Sequence, residues 1–379
     1  MSLLTLARVV RVCAPLLLLH AVSVERAEAQ LPGPQRPEQT LVSPQLEAPG
    51  RVTFRIYAPR AQQVAVRGEF GRTLTAIRRD GGIWEASADS VRPGTYRYHF
   101  VVDSVTTVDP RNPQTSASLN AVQSLLIVPG TTWQDTKPVP HGAVAAVYYQ
   151  SSSLSIPRRM HVYTPPGYEV GAQRYPVLYL LHGGGDSDES WSTVGRAGFI
   201  LDNLIAAGKA RPMIVVMPAG HTPKGGNPMS ADPAQDPFTA DLLRDVLPHV
   251  ESHYRVVAGR ENRAIAGLSM GGVQTLNIAL TNLDRFSQIG VFSSGWFPPV
   301  REQFVNTHQS LLSAPTTKQA VRVFWNAAGT DDIARDNHRA LVALLKQYGI
   351  PNTYRETPGG HTWINWRDYL AEFAPLLFR

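Results

Sequence analysis

The sequence predicts an α/β domain built on a mostly parallel sheet, preceded by an all-β, immunoglobulin-like sandwich. Two patterns carry this reading. From residue 141 onward, short unbroken apolar runs alternate with helical stretches, as strands buried on both faces do between covering helices. Over residues 44–130, short alternating segments are separated by Gly, Pro and Asp at roughly regular spacing, the texture of a small sandwich. Composition permits both parts: of 379 residues, 43% are hydrophobic and 17% charged, which is globular and long enough for two domains.

In chain order, residues 1–29 read as a secretory signal. Arg8 and Arg11 make a basic start, Ala14 to Val24 is mostly apolar, and Ala27-Glu28-Ala29 supplies a small-residue cleavage site. The apolar core is too short and interrupted for a membrane span. Residues 30–43 are Pro- and Gln-rich and read as a linker. The sandwich strands lie in "RVTFRIYAPRAQQVAVRGEF", "GGIWEASADS", "GTYRYHFVVD", "VTTVDPRNP" and "QSLLIV". Residues 131–140 form a second linker. In residues 141–379, "PVLYLLHGGG", "PMIVVMPAG", "RAIAGLSMGG", "QIGVFSSGW" and "VRVFWNAAGTDD" are the strand runs. The helical stretches are "FTADLLRDVLPHVESHY", "VQTLNIALTNL" and "HRALVALLKQYG".

Charge and cysteine usage narrow the function classes. The formal net charge is +6, but the basic residues are spread without a run, which argues against a nucleic-acid partner. Cys13, the only cysteine, falls within the signal. The mature chain therefore has no disulfide, cysteine nucleophile or cysteine-ligated metal, and no membrane partner once the signal is cleaved.

The chemistry concentrates around "AIAGLSMGG". Gly267-Leu268-Ser269-Met270-Gly271 fits G-x-S-x-G between a strand and a helix, where a serine is held on a strained turn with its hydroxyl exposed. The required base is His361, in the glycine-flanked loop "ETPGGHTW" ahead of the last helix. The acid that would orient His361 is Asp331 or Asp332, at the end of the strand "VFWNAAGTDD"; Asp336 is a weaker choice because it falls in the next helix. The order Ser, Asp, His is that of an α/β-hydrolase. Oxyanion donors are expected from the Met270 N–H and from the loop His182-Gly183-Gly184-Gly185 after an early strand. His182 is read as tying that loop down. His249 and His253 are four apart on a helix, but no third ligand accompanies them, so they read as a solvated face. His338 is expected to be exposed at a helix start. Trp191, Trp296 and Trp363 lie beside the catalytic loops and are candidates for contact with an aromatic acyl group. A serine mechanism of this type needs no metal or organic cofactor.

Residues 141–379 resemble the esterase family that includes feruloyl and acetylxylan esterases of carbohydrate esterase family one, siderophore esterases, S-formylglutathione hydrolases and mycolyltransferases. The likeness rests on "RRMHVYTPPGYEVGAQRYPVLYLLHGGGDSDESW", "GKARPMIVVMPAGH", "AIAGLSMGG" and "GTDD…GGHTW" occurring in this order. It implies Ser269 as nucleophile, Asp332 as acid and Gly184 as the second oxyanion donor. The preceding β-rich segment is similar to carbohydrate-binding module family 48 and suggests sugar stacking on Trp84 or Tyr96, with core packing of Trp84 and Tyr98 as the alternative. The expected activity is removal of acyl groups, ferulate foremost, from an acylated plant polysaccharide or oligosaccharide. Acetylxylan and enterobactin-type siderophore esters are the alternative substrates. A carbohydrate-binding protein with a relict hydrolase domain is the non-enzymatic alternative.

Overall fold

The computed structural model describes residues 37–223 and 225–379. The expected signal segment lies outside the described residues. Of residues 1–40, Pro37–Thr40 forms a single helical turn. Residues 41–379 fold as one compact unit. Among the described residues no helix is long and apolar enough to cross a membrane.

The sandwich has two antiparallel sheets. Its strands are β1 (Gln45–Ala48), β2 (Arg51–Tyr57), β3 (Val64–Gly68), β4 (Leu74–Thr75), β5 (Ile77–Arg78), β6 (Ile83–Ala88), β7 (Gly94–Val102), β8 (Val105–Thr107), β9 (Thr115–Ala117) and β10 (Val122–Val128). One sheet runs β1-β2-β6-β5; the other runs β4-β3-β7-β10-β9, with β8 paired to β7. Period-two alternation places Val52, Phe54, Ile56, Val64, Val66, Tyr98, Phe100 and Leu126 in the core between them. Trp84 belongs to this core, and its indole N–H donates to Ala58 O at 3.0 Å.

The second part is a sheet of β11 (Ala143–Ser151), β12 (Ile156–Thr164), β13 (Val177–Leu181), β14 (Ile214–Pro218), β15 (Arg263–Leu268), β16 (Gln288–Phe292), β17 (Val323–Gly329) and β18 (Thr353–Thr357). The spatial order is β11-β12-β14-β13-β15-β16-β17-β18. β12 pairs antiparallel with both β11 and β14, and the remaining pairs are parallel. This is the α/β-hydrolase arrangement. Strands β13, β14 and β16 are buried along their whole length, which is why they read as unbroken apolar runs. Two apolar layers flank the sheet, one including Phe238, Leu276 and Leu341, the other Ile200, Trp325 and Phe373.

The sandwich meets the hydrolase through buried polar contacts. Arg367, fully buried on the helix Trp363–Phe373, donates through Nη1 to Thr95 O on β7 and to Val194 O, both at 2.9 Å. Residues 131–140 are held in place as well: Asn203 Nδ2 donates to Trp133 O and Asp135 O at 2.7 and 2.9 Å.

Candidate active site

Parallel α/β sheets present their chemistry at the carboxyl ends of the strands, and the candidate residues follow β13, β15, β17 and β18. Ser269 sits between β15 and the helix Met270–Thr281, at φ 51° and ψ −117°. Non-glycine residues rarely adopt such angles outside functional sites. The turn is feasible because Gly267 lacks a side chain: a Cβ there would stand 2.2 Å from Gly271 O. Bonds to its backbone fix the elbow, with Ser269 N–H donating to Phe292 O at 3.0 Å and the Ser294 hydroxyl donating to Ser269 O at 2.6 Å.

His361 Nε2 lies 3.0 Å from Ser269 Oγ, and its Nδ1 lies 2.9 Å from Asp332 Oδ1. Burial pushes the Asp332 carboxyl up, but the bonds it accepts from His361 and the Ala334 N–H counter this, and the net shift is downward. An ionised carboxylate can only accept, so Nδ1 carries the imidazole proton and Nε2 is free to accept from the serine hydroxyl. The loops carrying Asp332 and His361 are stitched backbone to backbone: Thr330 N–H donates to Thr357 O at 2.8 Å and Asp331 N–H to Gly359 O at 2.9 Å. A Cβ on Gly329 would meet Gly359 O at 2.1 Å, so this close approach requires glycine. Burial separates the two aspartates. Asp332 is buried beside His361, whereas Asp331 is exposed, and Asp336 points outward beside Arg335.

The Gly183–Gly185 loop faces the elbow. A Cβ on Gly183 would lie 3.4 Å from Ser269 Cβ, and one on Gly184 would lie 3.9 Å from Met270 Cβ. Met270 opens its helix, so its N–H has no partner within that helix. His182 is buried beneath the loop. Its Nδ1 donates to Gly183 O at 2.8 Å and its Nε2 accepts from Gly220 N–H at 2.8 Å. Burial lowers its pKa, in keeping with a neutral ring whose two nitrogens have opposite roles.

These residues open onto a cleft of about 380 Å³, a size suited to a small acyl group. Its hydrolase side includes Gly184, Leu268, Ser269, His361, Trp363, Ile364 and Trp366; its other wall is Glu69, Thr95, Tyr96 and Arg97 of the sandwich. Trp363 is thus at the cleft, but Trp191 and Trp296 are not. Trp191 is buried, with its indole N–H on Leu181 O. Trp296 is buried against Phe304, with its N–H on Asn277 Oδ1. Sequence proximity to a catalytic loop did not fix which way an indole points. His338 also departs from expectation: it is fully buried, ring-stacked with Tyr354, and burial pushes its pKa down to about 4. His249 and His253 stack on each other 4.0 Å apart along their helix. Of the sandwich residues, Tyr96, a sugar-stacking candidate from the sequence, does line the cleft; sequence reasoning missed Trp366, whose ring stands edge-on to His361 at 5.0 Å, and Glu69, Thr95 and Arg97. Glu69 in "VRGEF" and Thr95 and Arg97 in "GTYRYHFVVD" carry no local signal that they face a cleft.

A nucleophile elbow, an imidazole in reach and a carboxylate behind it on this sheet define the arrangement of an α/β-hydrolase. The chain belongs to the family described as "Putative esterase", which it matches over residues 151–377. Residues 42–112 match carbohydrate-binding module 48, the isoamylase N-terminal domain. An endo-1,4-beta-xylanase/feruloyl esterase of Xylanibacter ruminicola is 31% identical over 348 residues, 89% of this chain and 46% of that protein. The chain spans about half or less of the length of the first curated relatives it matches. A solved ferulic acid esterase is 28% identical with a TM-score of 0.55, covering 62% of this chain and 97% of that one. The enterobactin esterase of Shigella flexneri shares the fold at a TM-score of 0.63 and 20% identity, covering 86% and 92% of the two chains.

Proposed function

We propose that the protein is a secreted serine carboxylesterase that removes acyl groups, ferulate foremost, from plant cell-wall polysaccharide such as arabinoxylan. The observation that carries the reading is the unbroken hydrogen-bond chain from Ser269 through His361 to Asp332. In this mechanism Ser269 Oγ attacks the ester carbonyl while His361 Nε2 takes its proton, and Asp332 holds the imidazole in the useful tautomer and stabilises the imidazolium. The N–H groups of Gly184 and Met270 receive the developing oxyanion. Collapse expels the sugar alcohol, protonated by His361. Water, deprotonated by His361, then cleaves the acyl-enzyme and frees the acid and Ser269.

Two observations support an aromatic acyl group. The cleft presents Tyr96, Trp363, Ile364 and Trp366, apolar and aromatic surface on which a phenolic ring packs. A relative over most of this chain carries "feruloyl esterase" in its name. Export rests on the sequence pattern of residues 1–29. The test is product release from acylated arabinoxylan by wild type and by Ser269→Ala. Ferulate released by the wild type alone is the expected result. Acetate without ferulate moves the substrate to acetylxylan. Cleavage of enterobactin with neither acid released from the polysaccharide removes the plant-wall reading, and equal turnover by Ser269→Ala removes the serine mechanism.

A further inference from the structure

We propose that Arg97, supplied by the β-sandwich, is a positioning residue for the oxyanion donor Gly184, so that the sandwich is part of the catalytic apparatus even for esters that carry no sugar. The proposal rests on the reading above that the Gly184 N–H receives the oxyanion.

Arg97 lies on β7 and is almost completely buried. Its Nη1 donates to Asp186 Oδ1 at 2.7 Å, its Nη2 to Ser190 Oγ at 2.7 Å and its Nε to Ser116 Oγ at 3.1 Å. Asp186 directly follows Gly183-Gly184-Gly185. The sandwich grips the same loop at other points: Leu119 N–H donates to Gly185 O at 3.0 Å, and Ala117 N–H donates to the Glu189 carboxylate. From below, His182 and the Asp186 N–H hold Gly183 O at 2.8 and 3.1 Å. The carbonyls on both sides of Gly184 are therefore tied, one to the hydrolase and one to the sandwich. In a trans peptide the C=O and the following N–H point in opposite directions. Fixing Gly183 O inward therefore turns the Gly184 N–H outward, toward the serine. A glycine triplet has no side chains to hold it, and a backbone this permissive needs outside restraint to keep a donor aimed. The Arg97–Asp186 pair is such a restraint, since a desolvated, directional charge-assisted bond is hard to exchange for water.

The test uses the full chain and p-nitrophenyl acetate, an ester too small to need glycan capture. Arg97→Met leaves Asp186 as an uncompensated buried charge and risks misfolding, so Arg97→Met/Asp186→Leu is measured beside it. In that double variant Ser116 keeps its bond to Thr193 and Ser190 its bond to the Ser187 N–H. Arg97→Lys retains the charge with fewer donors and serves as the conservative rescue. Loss or misplacement of one oxyanion donor costs roughly 100-fold or more in rate. The expected result is a kcat lower by about that factor in the double variant, with KM near wild type. Affinity for a boronic acid, which forms a tetrahedral adduct on the serine, should fall with kcat, and Arg97→Lys should recover part of both. Folded variants with wild-type kcat overturn the proposal, as does a loss of kcat with undiminished boronic acid affinity. Ser269→Ala, run in parallel, separates the two levels: if it keeps its activity, the serine reading itself has failed, whatever Arg97 does.

Discussion

Replacing Asp332 with asparagine should be far less damaging than replacing it with alanine, because of where the carboxylate oxygens lie. Oδ1 accepts both His361 Nδ1–H and the Ala334 N–H, the latter at 2.8 Å. The Ala334 N–H can only donate, so in Asp332→Asn it anchors the amide oxygen at the Oδ1 position and directs the amide NH₂ to the Oδ2 position. His361 then still finds an acceptor at Nδ1 and keeps Nε2 bare for Ser269. What is lost is the negative charge opposite the imidazolium. The difference between charged and neutral hydrogen bonds, about 1.5 kcal/mol, sets the lower bound on that loss. The attraction of unit charges about 4 Å apart at an effective dielectric near 20, about 4 kcal/mol, sets the upper. At about 1.4 kcal/mol per decade, kcat for p-nitrophenyl acetate should fall between about 10-fold and 1,000-fold. Asp332→Ala loses both charge and tautomer control, and its loss should approach about 10⁴-fold. Steady-state kcat for both variants at one pH, with circular dichroism to establish folding, decides the matter. Equal losses in the two variants would show that the asparagine presents its NH₂ to His361, and the anchoring by Ala334 would be refuted.

Gly267→Ala drives a Cβ to 2.2 Å from Gly271 O; with only backbone to yield, the elbow should shift and kcat fall at least about 100-fold, read on the same ester. Trp296→Ala should cost about 3–5 kcal/mol of stability, as truncation of a buried aromatic does, with little change in KM, whereas Trp363→Ala should raise KM for methyl ferulate more than for p-nitrophenyl acetate; paired urea melts and kinetics test both. His338 is held neutral down to about pH 4 in the folded chain but takes a proton near pH 6.5 when unfolded. The unfolded state therefore binds more protons between those values, and stability is lost as pH falls from 6.5 to 4, by up to about 3 kcal/mol. His338→Gln should flatten that slope in urea titrations across this window; an unchanged slope would assign it to other groups.

The residues that announce themselves in the sequence are those whose role is written into local backbone geometry. Gly267 and Gly271 around Ser269 mark places where a Cβ would strike backbone, at 2.2 Å from Gly271 O and 2.5 Å from His182 O, and that constraint is legible without neighbours. The choice between Asp331 and Asp332 is a matter of burial, settled by how the β17 and β18 loops stitch together, and one residue of offset carries no local signal. A position at a helix start predicts exposure for His338, yet that turn of helix packs under Ser294, whose N–H approaches its Nδ1 at 3.4 Å. β11 escaped notice because it is an edge strand, exposed along much of its length, and lacks the clean alternation of a half-buried one.

Arg97 shows most clearly why the second wall of the cleft stayed hidden. In Gly94-Thr95-Tyr96-Arg97-Tyr98-His99-Phe100, period two sends Tyr96, Tyr98 and Phe100 into the sandwich core and leaves Thr95, Arg97 and His99 on the opposite face. An arginine on the outer face of a small sandwich reads as solvated, because that is what such a face is in an isolated domain. Here the face is covered by the Gly183–Thr193 segment, and the same arginine becomes a buried partner of Asp186. The information sits in two places about ninety residues apart, each unremarkable alone: a charged residue on a polar face, and an aspartate in a glycine-rich loop. Buried charges are tolerated only in pairs, so either one found alone in the interior would be an error of folding. The docking of the two sheets is thus specified by a complementarity that local periodicity cannot express, and it lies where it bears on the loop opposite Ser269.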